Sequence, residues 1–127
     1  MTRYVRPLDE VGMEDVQQCG GKGANLGELT RLGVRVPPGF CIVAAALASV
    51  LAANSLEAPI AEIAAGLSFD DPNALEAETA RIRSLIFQAT TPQELEAEIL
   101  DHYRALISDE NRYVAVRSSV AIRDSPV

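Results

Sequence analysis

The 127-residue sequence has no tryptophan, 5% aromatic residues, one histidine and a single lysine. A core built from this composition must be mainly aliphatic. Acidic residues outnumber basic ones and give a formal net charge of −7. This charge argues against a general nucleic-acid partner, because phosphate backbones attract basic surfaces. It is compatible with a nucleotide ligand, which needs only one or two well-placed cations.

Long hydrophobic runs are scarce as well. The most apolar stretch, residues 40–53, has fourteen residues, fewer than the ~20 that a membrane-spanning helix needs. The N-terminus lacks the apolar segment of a signal peptide. Cys19 and Cys41 have neither a CxxC nor a zinc-site spacing, which favours reduced thiols. We therefore expect a cytoplasmic protein without a membrane partner and without metal ligands of its own.

The order of predicted elements indicates a mixed α/β or α+β fold, with a short sheet and a helical segment over about residues 44–108. Three runs are predicted to be strands: residues 4–8, 40–43 and 113–116. A helix is predicted from Lys22 to about Leu32, with Gly33 as its C-terminal cap glycine. Residues 9–19 are predicted to be mainly loop. We find no internal repeat or linker, and we treat 1–127 as a single unit.

Inside the helical segment, two pairs of residues mark helix starts. Asp71 can cap a helix whose first residue is Pro72. Thr91 and Glu94 match a capping box, with proline at the first helical position.

The lone lysine lies in the cluster Gly20-Gly21-Lys22-Gly23, just before a helical pattern. Glycines let a backbone approach an anion closely and adopt positive φ angles, and the free N–H groups of the following helix point to the same place. The cluster matches neither a Walker A loop nor a Rossmann fingerprint. The cluster therefore predicts a glycine-rich helix N-terminus that binds phosphate but belongs to neither of these two motifs. A flexible loop with a solvated lysine is the alternative.

A second cluster, Arg117-Ser118-Ser119, follows the strand predicted at 113–116. A guanidinium at a strand end matches the geometry of phosphate oxygens, and the two hydroxyls can add hydrogen bonds. The alternative is an arginine that pairs with a nearby carboxylate.

Three motifs in this order, residues 20–29, 33–40 and 114–119, resemble the N-terminal nucleotide-binding region of the phosphoenolpyruvate synthase and pyruvate phosphate dikinase family. Rifampicin phosphotransferases share this region. The resemblance covers nearly the whole chain and implies the first lobe of an ATP-grasp domain. It also implies that Lys22 and Arg117 act as catalytic residues that contact the ATP phosphates. The implied nucleotide-binding set is Gly20, Gly21, Lys22, Gly23, Arg117, Ser118 and Ser119.

The resemblance further implies a reaction that moves the ATP β-phosphate to a histidine and then to pyruvate. A second ATP-grasp lobe with Mg²⁺ ligands and a phosphohistidine domain would lie outside these 127 residues. The single histidine, His102, lies in the middle of a predicted helix and is interpreted as a packing or surface residue. We expect the chain alone to be inactive in phosphoryl transfer, to bind ATP weakly, and to self-associate through surface that other domains would cover.

The sequence departs from the family pattern after the two serines. Ala121 and Arg123 stand where the family usually has a threonine and a glutamate. This removes a hydroxyl and reverses a charge close to the expected phosphate site. Two alternatives stay open. One is a rifampicin phosphotransferase-like lobe, because the choice of acceptor would lie in other domains. The other, which the departure favours, is a truncated, non-catalytic remnant that binds a nucleotide or a partner.

Overall fold

The computed structural model describes residues 3–121. The elements follow one another as β1 (Val5–Pro7), α1 (Val16–Arg31), β2 (Phe40–Ile42), α2 (Ala44–Ala53), α3 (Glu57–Ala65), α4 (Pro72–Gln88) and α5 (Gln93–Leu106). Two short 3₁₀ turns, Leu8–Glu10 and Met13–Asp15, connect β1 to α1. The five α-helices and one short sheet of the described residues confirm the predicted α+β fold class.

The sheet of the described residues has two antiparallel strands. Val5 of β1 lies opposite Ile42 of β2, and Pro7 lies opposite Phe40. The pairing extends by one further bond, from the Val43 N–H to the Tyr4 carbonyl oxygen at 2.9 Å. Both strands coincide with runs that the sequence predicted to be strands.

The described residues form two compact units. One combines residues 3–46 with 93–121, and the other comprises residues 47–92. The first unit has an aliphatic core, as the composition predicts. Its buried apolar residues are Val5, Val11, Cys19, Ala24, Val43, Ala46 and Leu95.

The second unit is helical, and its helix α4 begins at Pro72, as the sequence predicts. One carboxylate oxygen of Asp71 accepts hydrogen bonds from the backbone N–H groups of Asn73 and Ala74, at 3.0 and 3.3 Å. Pro72 occupies the first helical position, where a missing N–H has no consequence. In the same unit the side chain of Asn54 forms two hydrogen bonds with the backbone of Thr90, at 2.8 and 2.9 Å.

The C-terminus of α1 also follows the prediction. Gly33 has a φ of 81° and donates its N–H to the Thr30 carbonyl oxygen, while Val34 donates to Leu29. These two bonds form a Schellman motif, which requires a left-handed residue and therefore favours glycine.

The prediction of a strand at residues 113–116 is wrong, because the structure describes these residues and they form no strand. Residues 112–121 have no regular secondary structure, and the side chains of Tyr113 and Val116 are 92% and 89% exposed. A strand needs the donors and acceptors of a neighbour, but within residues 3–121 β1 and β2 pair only with each other. The departure at Arg123 lies outside the described residues.

The loop predicted at residues 9–19 is also partly wrong, because these residues contain the 3₁₀ turns and the first residues of α1. An acidic side chain organises them. Asp15 accepts a hydrogen bond from the Gly12 N–H at 3.0 Å and forms an ion pair with Arg6. Arg6 also donates to the Glu10 carbonyl oxygen, so one arginine holds both turns.

No single helix among residues 3–121 is long and apolar enough to cross a membrane, and α2 and α3 reach the required length only as a pair bent by 104°.

Candidate functional site

Gly20 divides α1 into two helical parts. Its φ of 75° and ψ of 172° are non-helical, and glycine adopts this left-handed φ without the strain that a side chain would cause. Residues 16–19 precede the break and residues 21–31 follow it. The second part therefore has an N-terminus of its own, and its first backbone N–H groups lack acceptors within the helix.

A serine from a distant part of the chain caps this N-terminus. The backbone N–H of Lys22 donates to Ser119 Oγ at 3.2 Å. With Gly20 as the N-cap, Lys22 is the second helical residue, one of the positions whose N–H an N-cap side chain normally binds. A Cβ on Gly20 would lie 2.1 Å from Ser119 Oγ. The hydroxyl of Ser119 thus occupies the space that an N-cap side chain would need.

The side chain of Lys22 reaches the same distant segment. Its Nζ donates to the backbone carbonyl oxygen of Ser118 at 2.8 Å. An ammonium group has three N–H donors, so this contact leaves two of them for other acceptors. Lys22 is exposed, and its ammonium group is hydrogen-bonded at the glycine turn.

Arg117 directly precedes the two serines and is exposed. The structure thus brings Gly20 and Lys22 into contact with Ser118 and Ser119, and it places Arg117 one residue before that contact in the chain. The ion pairs formed within residues 3–121 do not include Arg117. The two clusters predicted to act together are close in space at this position.

The other glycines of the cluster lie in different surroundings. Gly23 is buried, and a Cβ there would lie 2.5 Å from the Cys41 sulfur. Gly23 therefore lets α1 pack closely on β2. Gly21 is half-buried, and apart from its chain neighbours and the backbone of its own helix no described atom lies within 4 Å of the Cβ position. Of the two, only Gly21 offers open space for the approach of a ligand.

Two thiols lie close to the glycine turn. Cys19 is buried and Cys41 is half-buried. Burial raises the pKa of the Cys19 thiol to about 12, with a further contribution from Cys41, and burial also raises the pKa of Cys41. Both groups are therefore neutral thiols at pH 7. They add no negative charge beneath a surface that carries Lys22.

A cleft of about 390 Å³ lies elsewhere in the first unit, between the residues that follow β1, the loop before β2 and α5. His102 lines it, with Nδ1 2.9 Å from the Glu98 carbonyl oxygen and its ring 5.7 Å from that of Phe40. His102 is thus a packing residue, as the sequence indicates. Neither the glycine turn nor residues 117–119 line this cleft.

The described residues do not supply a metal site. Among residues 3–121 no group of three or more histidine, cysteine, aspartate or glutamate side chains could hold an ion.

One contact that supports the site was not foreseen from the sequence. Glu98 Oε1 accepts the backbone N–H groups of Tyr4 and Val5, at 2.8 and 2.7 Å. This carboxylate fixes β1 against α5, and β1 carries Arg6, which organises the turns before α1. No sequence signal distinguishes Glu98 from the other acidic residues of α5, because its partners lie 93 and 94 residues away.

Known proteins resemble this chain over nearly its whole length. Residues 16–127 match the family described as pyruvate phosphate dikinase, AMP/ATP-binding domain. A probable phosphoenolpyruvate synthase of Methanothermobacter thermautotrophicus is 37% identical over 99% of this chain and 19% of its own length. A probable phosphoenolpyruvate synthase of Staphylothermus marinus is 39% identical over 98% of this chain and 16% of its own length. The phosphoenolpyruvate synthase of Pseudomonas aeruginosa is 40% identical over 99% of this chain and 17% of its own length.

The chain therefore spans 16–19% of the length of these three relatives. Both motifs that meet at the glycine turn, residues 20–23 and 117–119, lie inside the matched range. The family match covers well over half of the chain, and the chain belongs to the pyruvate phosphate dikinase AMP/ATP-binding domain family.

Proposed function

We propose that this chain is the ATP-binding N-terminal part of a phosphotransferase of the phosphoenolpyruvate synthase type. The whole enzyme would transfer the ATP β-phosphate to a histidine and then to pyruvate, with AMP as the leaving group and the γ-phosphate released as inorganic phosphate by hydrolysis. The observation that carries the proposal is the contact between Lys22 and Ser118, which joins the glycine turn to the segment bearing Arg117. Membership of an AMP/ATP-binding domain family supports a nucleotide as the ligand.

In this proposal Lys22 and Arg117 contact the phosphate oxygens. A transferring phosphoryl group spreads negative charge over its oxygens, and fixed cations stabilise that charge. Lys22 supplies a compact charge with donors to spare, and Arg117 supplies a planar, bidentate fork. Gly21, which has open space at its Cβ position, allows close approach of the phosphates to the backbone. Gly20 and Gly23 shape the turn around it, and Ser118 and Ser119 complete the binding set.

The chemistry of these residues fits the triphosphate of ATP. The N-terminus of residues 21–31 directs backbone N–H groups and a partial positive charge toward an anion. The adjacent thiols are neutral, and Lys22 and Arg117 are exposed to an incoming ligand. Mg²⁺, when bound, would neutralise phosphate charge. Its ligands would come from outside this chain.

The larger assembly is part of the same proposal. We assign the chain to the first lobe of an ATP-grasp domain in a cytoplasmic enzyme, completed by a second lobe and a phosphohistidine domain. The short span of the chain on its relatives supports the presence of such further domains in the parent. The names of the relatives favour pyruvate over rifampicin as the final acceptor.

Titration calorimetry with ATP tests the nucleotide role of the two cations. We expect weak binding by the wild-type chain, and affinity reduced by about tenfold or more in Lys22→Ala and Arg117→Ala, since each loses charge-assisted hydrogen bonds. Arg112→Ala is the matched control, because Arg112 is an exposed arginine five residues before Arg117. Equal heats for the wild type, Lys22→Ala and Arg117→Ala would contradict the assignment.

A turnover assay tests the division of labour between this chain and the rest of the enzyme. With Mg-ATP and pyruvate the chain alone is expected to form no phosphoenolpyruvate above a Lys22→Ala control. The parent protein that contains the chain is expected to do so, and to prefer pyruvate over rifampicin. Preference for rifampicin would replace the acceptor, and inactivity of the parent with both would favour a non-catalytic nucleotide-binding role.

A further inference from the structure

We infer that Ser119 is a positioning residue. Its hydroxyl caps the N-terminus of helical residues 21–31 and thereby fixes Lys22 for its ligand. The second half of this inference rests on the proposed function, whereas the cap itself does not. The two adjacent serines thus have different roles, although the sequence suggested that both hydroxyls would form hydrogen bonds with the ligand.

The contacts distinguish the two serines. Ser119 acts through its side chain, because Oγ accepts the Lys22 N–H. Ser118 acts through its backbone, because its carbonyl oxygen accepts from Lys22 Nζ. Replacing the side chain of Ser118 by a methyl group would preserve that carbonyl, whereas the same change at Ser119 would remove the acceptor.

Gly20 explains why the capping group comes from so far along the chain. An N-cap residue ordinarily supplies the oxygen itself, but Gly20 has no side chain. Its φ of 75° favours glycine, and any Cβ would meet Ser119 Oγ at 2.1 Å. The local backbone and the distant serine therefore fit each other. A capping side chain on residue 20 and the hydroxyl of Ser119 would compete for the same volume.

The cap also acts on the side chain of Lys22. The lysine is bound at both ends by one dipeptide: its amide by Ser119 and its ammonium by Ser118. A free lysine side chain has many rotamers, and ordering it is entropically costly. Holding it before the ligand arrives reduces that cost at the binding step. Two ammonium protons stay available, and the Ser119 hydroxyl can still donate its own proton.

Because Lys22 is the single lysine of the chain, its NMR signals can be observed without overlap from other lysines. Labelling the chain with [¹⁵N]lysine gives one backbone amide resonance and one ammonium resonance, both from Lys22. In Ser119→Ala the Lys22 amide is expected to exchange with solvent about fivefold faster than in the wild type, as for the loss of an N-cap. In Ser118→Ala its exchange is expected to change by less than about twofold, since the hydroxyl of Ser118 plays no part in the cap.

The ammonium resonance is the second measurement. We expect it to shift and to exchange faster with water in Ser119→Ala, because the dipeptide no longer holds the lysine. Far-UV circular dichroism checks the fold of each variant. If Ser119→Ala does not fold, Ser119→Cys serves instead, since it keeps the shape and substitutes a weak acceptor. Unchanged Lys22 amide exchange in a folded Ser119 variant, or equal effects of the two alanine substitutions, would overturn the inference.

Adding ATP to the labelled wild-type chain separates the cap from the nucleotide site. A shift of the Lys22 ammonium resonance with ATP, together with a weaker ATP affinity in Ser119→Ala, supports positioning for the proposed ligand. No ATP-dependent shift in the wild type would contradict the proposed function and the positioning of Lys22 for ATP, while the exchange data would still decide whether Ser119 is a cap.

Discussion

The ammonium nitrogen of Lys22 lies 2.8 Å from the carbonyl oxygen of Ser118, a residue 96 positions further along the chain. This contact and the neighbouring one to Ser119 join the beginning and the end of the described chain at one turn. Both segments thus contribute to one turn. A substitution in either segment should therefore change the hydrogen bonds that the other segment forms there.

The first prediction concerns Gly20. Gly20→Ala should lower the free energy of unfolding by about 1–2 kcal/mol or more, because φ is 75° and the new methyl group would collide with Ser119 Oγ. Gly21→Ala is the matched control. A Cβ there would meet no described atom within 4 Å outside its chain neighbours and its own helix backbone, so the substitution should stabilise the helix by about 0.5–1 kcal/mol. Urea denaturation measures both. Equal effects at the two positions would show that the turn does not require a glycine at residue 20.

The second prediction concerns the carboxylate that holds β1. Glu98→Ala removes the acceptor of two N–H groups, one of them on the fully buried Val5. We expect a loss of about 1–3 kcal/mol of stability, the cost of leaving a buried donor unsatisfied. Glu96→Ala on the same helix changes an exposed residue and should alter stability by less than about 0.5 kcal/mol. Thermal unfolding of the two variants gives the comparison, and similar values would argue against a structural role of Glu98.

The third prediction concerns acid stability. The hydrogen bond from Arg6 lowers the pKa of Asp15 below its ordinary value. A carboxyl group with a lowered folded-state pKa stabilises the fold above its unfolded pKa of about 3.9, and this contribution is lost as the pH falls through the folded-state value. Asp15→Asn should therefore show a flatter decline of stability below about pH 4 than the wild type.

Glu14→Gln is the control for the acid experiment. Arg31 lowers the pKa of Glu14 through a hydrogen bond, but that pair is largely exposed and screened by solvent. Its removal should change the pH profile less than the removal of Asp15. Parallel profiles for the wild type and Asp15→Asn between pH 4 and 2 would contradict the role of the Arg6–Asp15 pair.

The fourth prediction concerns thiol reactivity. With a pKa of about 12, Cys19 is almost entirely protonated at pH 8, and alkylation requires the thiolate. Iodoacetamide should therefore modify Cys19 slowly in the native chain and rapidly in urea, as followed by mass spectrometry. Cys41→Ser isolates the signal of Cys19. Similar rates in buffer and in urea would show that the thiol is accessible.

The fifth prediction concerns self-association. Several apolar residues around the C-terminal half of α1 are exposed, including Leu29 at 39%, Leu32 at 76% and Val34 at 49%. Contiguous exposed apolar surface commonly marks an interface. We expect the elution volume in size-exclusion chromatography to decrease as the concentration rises, and Leu32→Asp to weaken this dependence. A strictly monomeric profile at all concentrations would refute self-association.

Local signals predicted the local features of this fold. Gly33 ends α1 because only a left-handed residue closes the motif there, and Asp71 with Pro72 begins α4 because both act within a single turn of helix. Such contacts span a few residues, so they can be read from the sequence. The approach of Lys22 to residues 117–119 was predicted on another basis, namely the resemblance of both motifs to one family.

Features that depend on contacts between residues far apart in the chain could not be predicted from the sequence. The β-rich composition of residues 113–116 suggested a strand, but β propensity takes effect only beside a pairing neighbour. Nothing in the sequence indicates that Ser119 acts by its hydroxyl and Ser118 by its carbonyl, since both carry the same side chain. The contact of Glu98 with β1 is also set by tertiary packing, across more than ninety residues.

The distance in sequence between Lys22 and Ser119 also bears on the order of folding. Their hydrogen bond closes a loop of 97 residues, and contacts of such separation are entropically expensive and form late. On the ribosome, helical residues 21–31 emerge long before their capping serine has been synthesised. The turn around Gly20 is thus expected to gain its final geometry among the last events of maturation, when the rest of the unit has already collapsed.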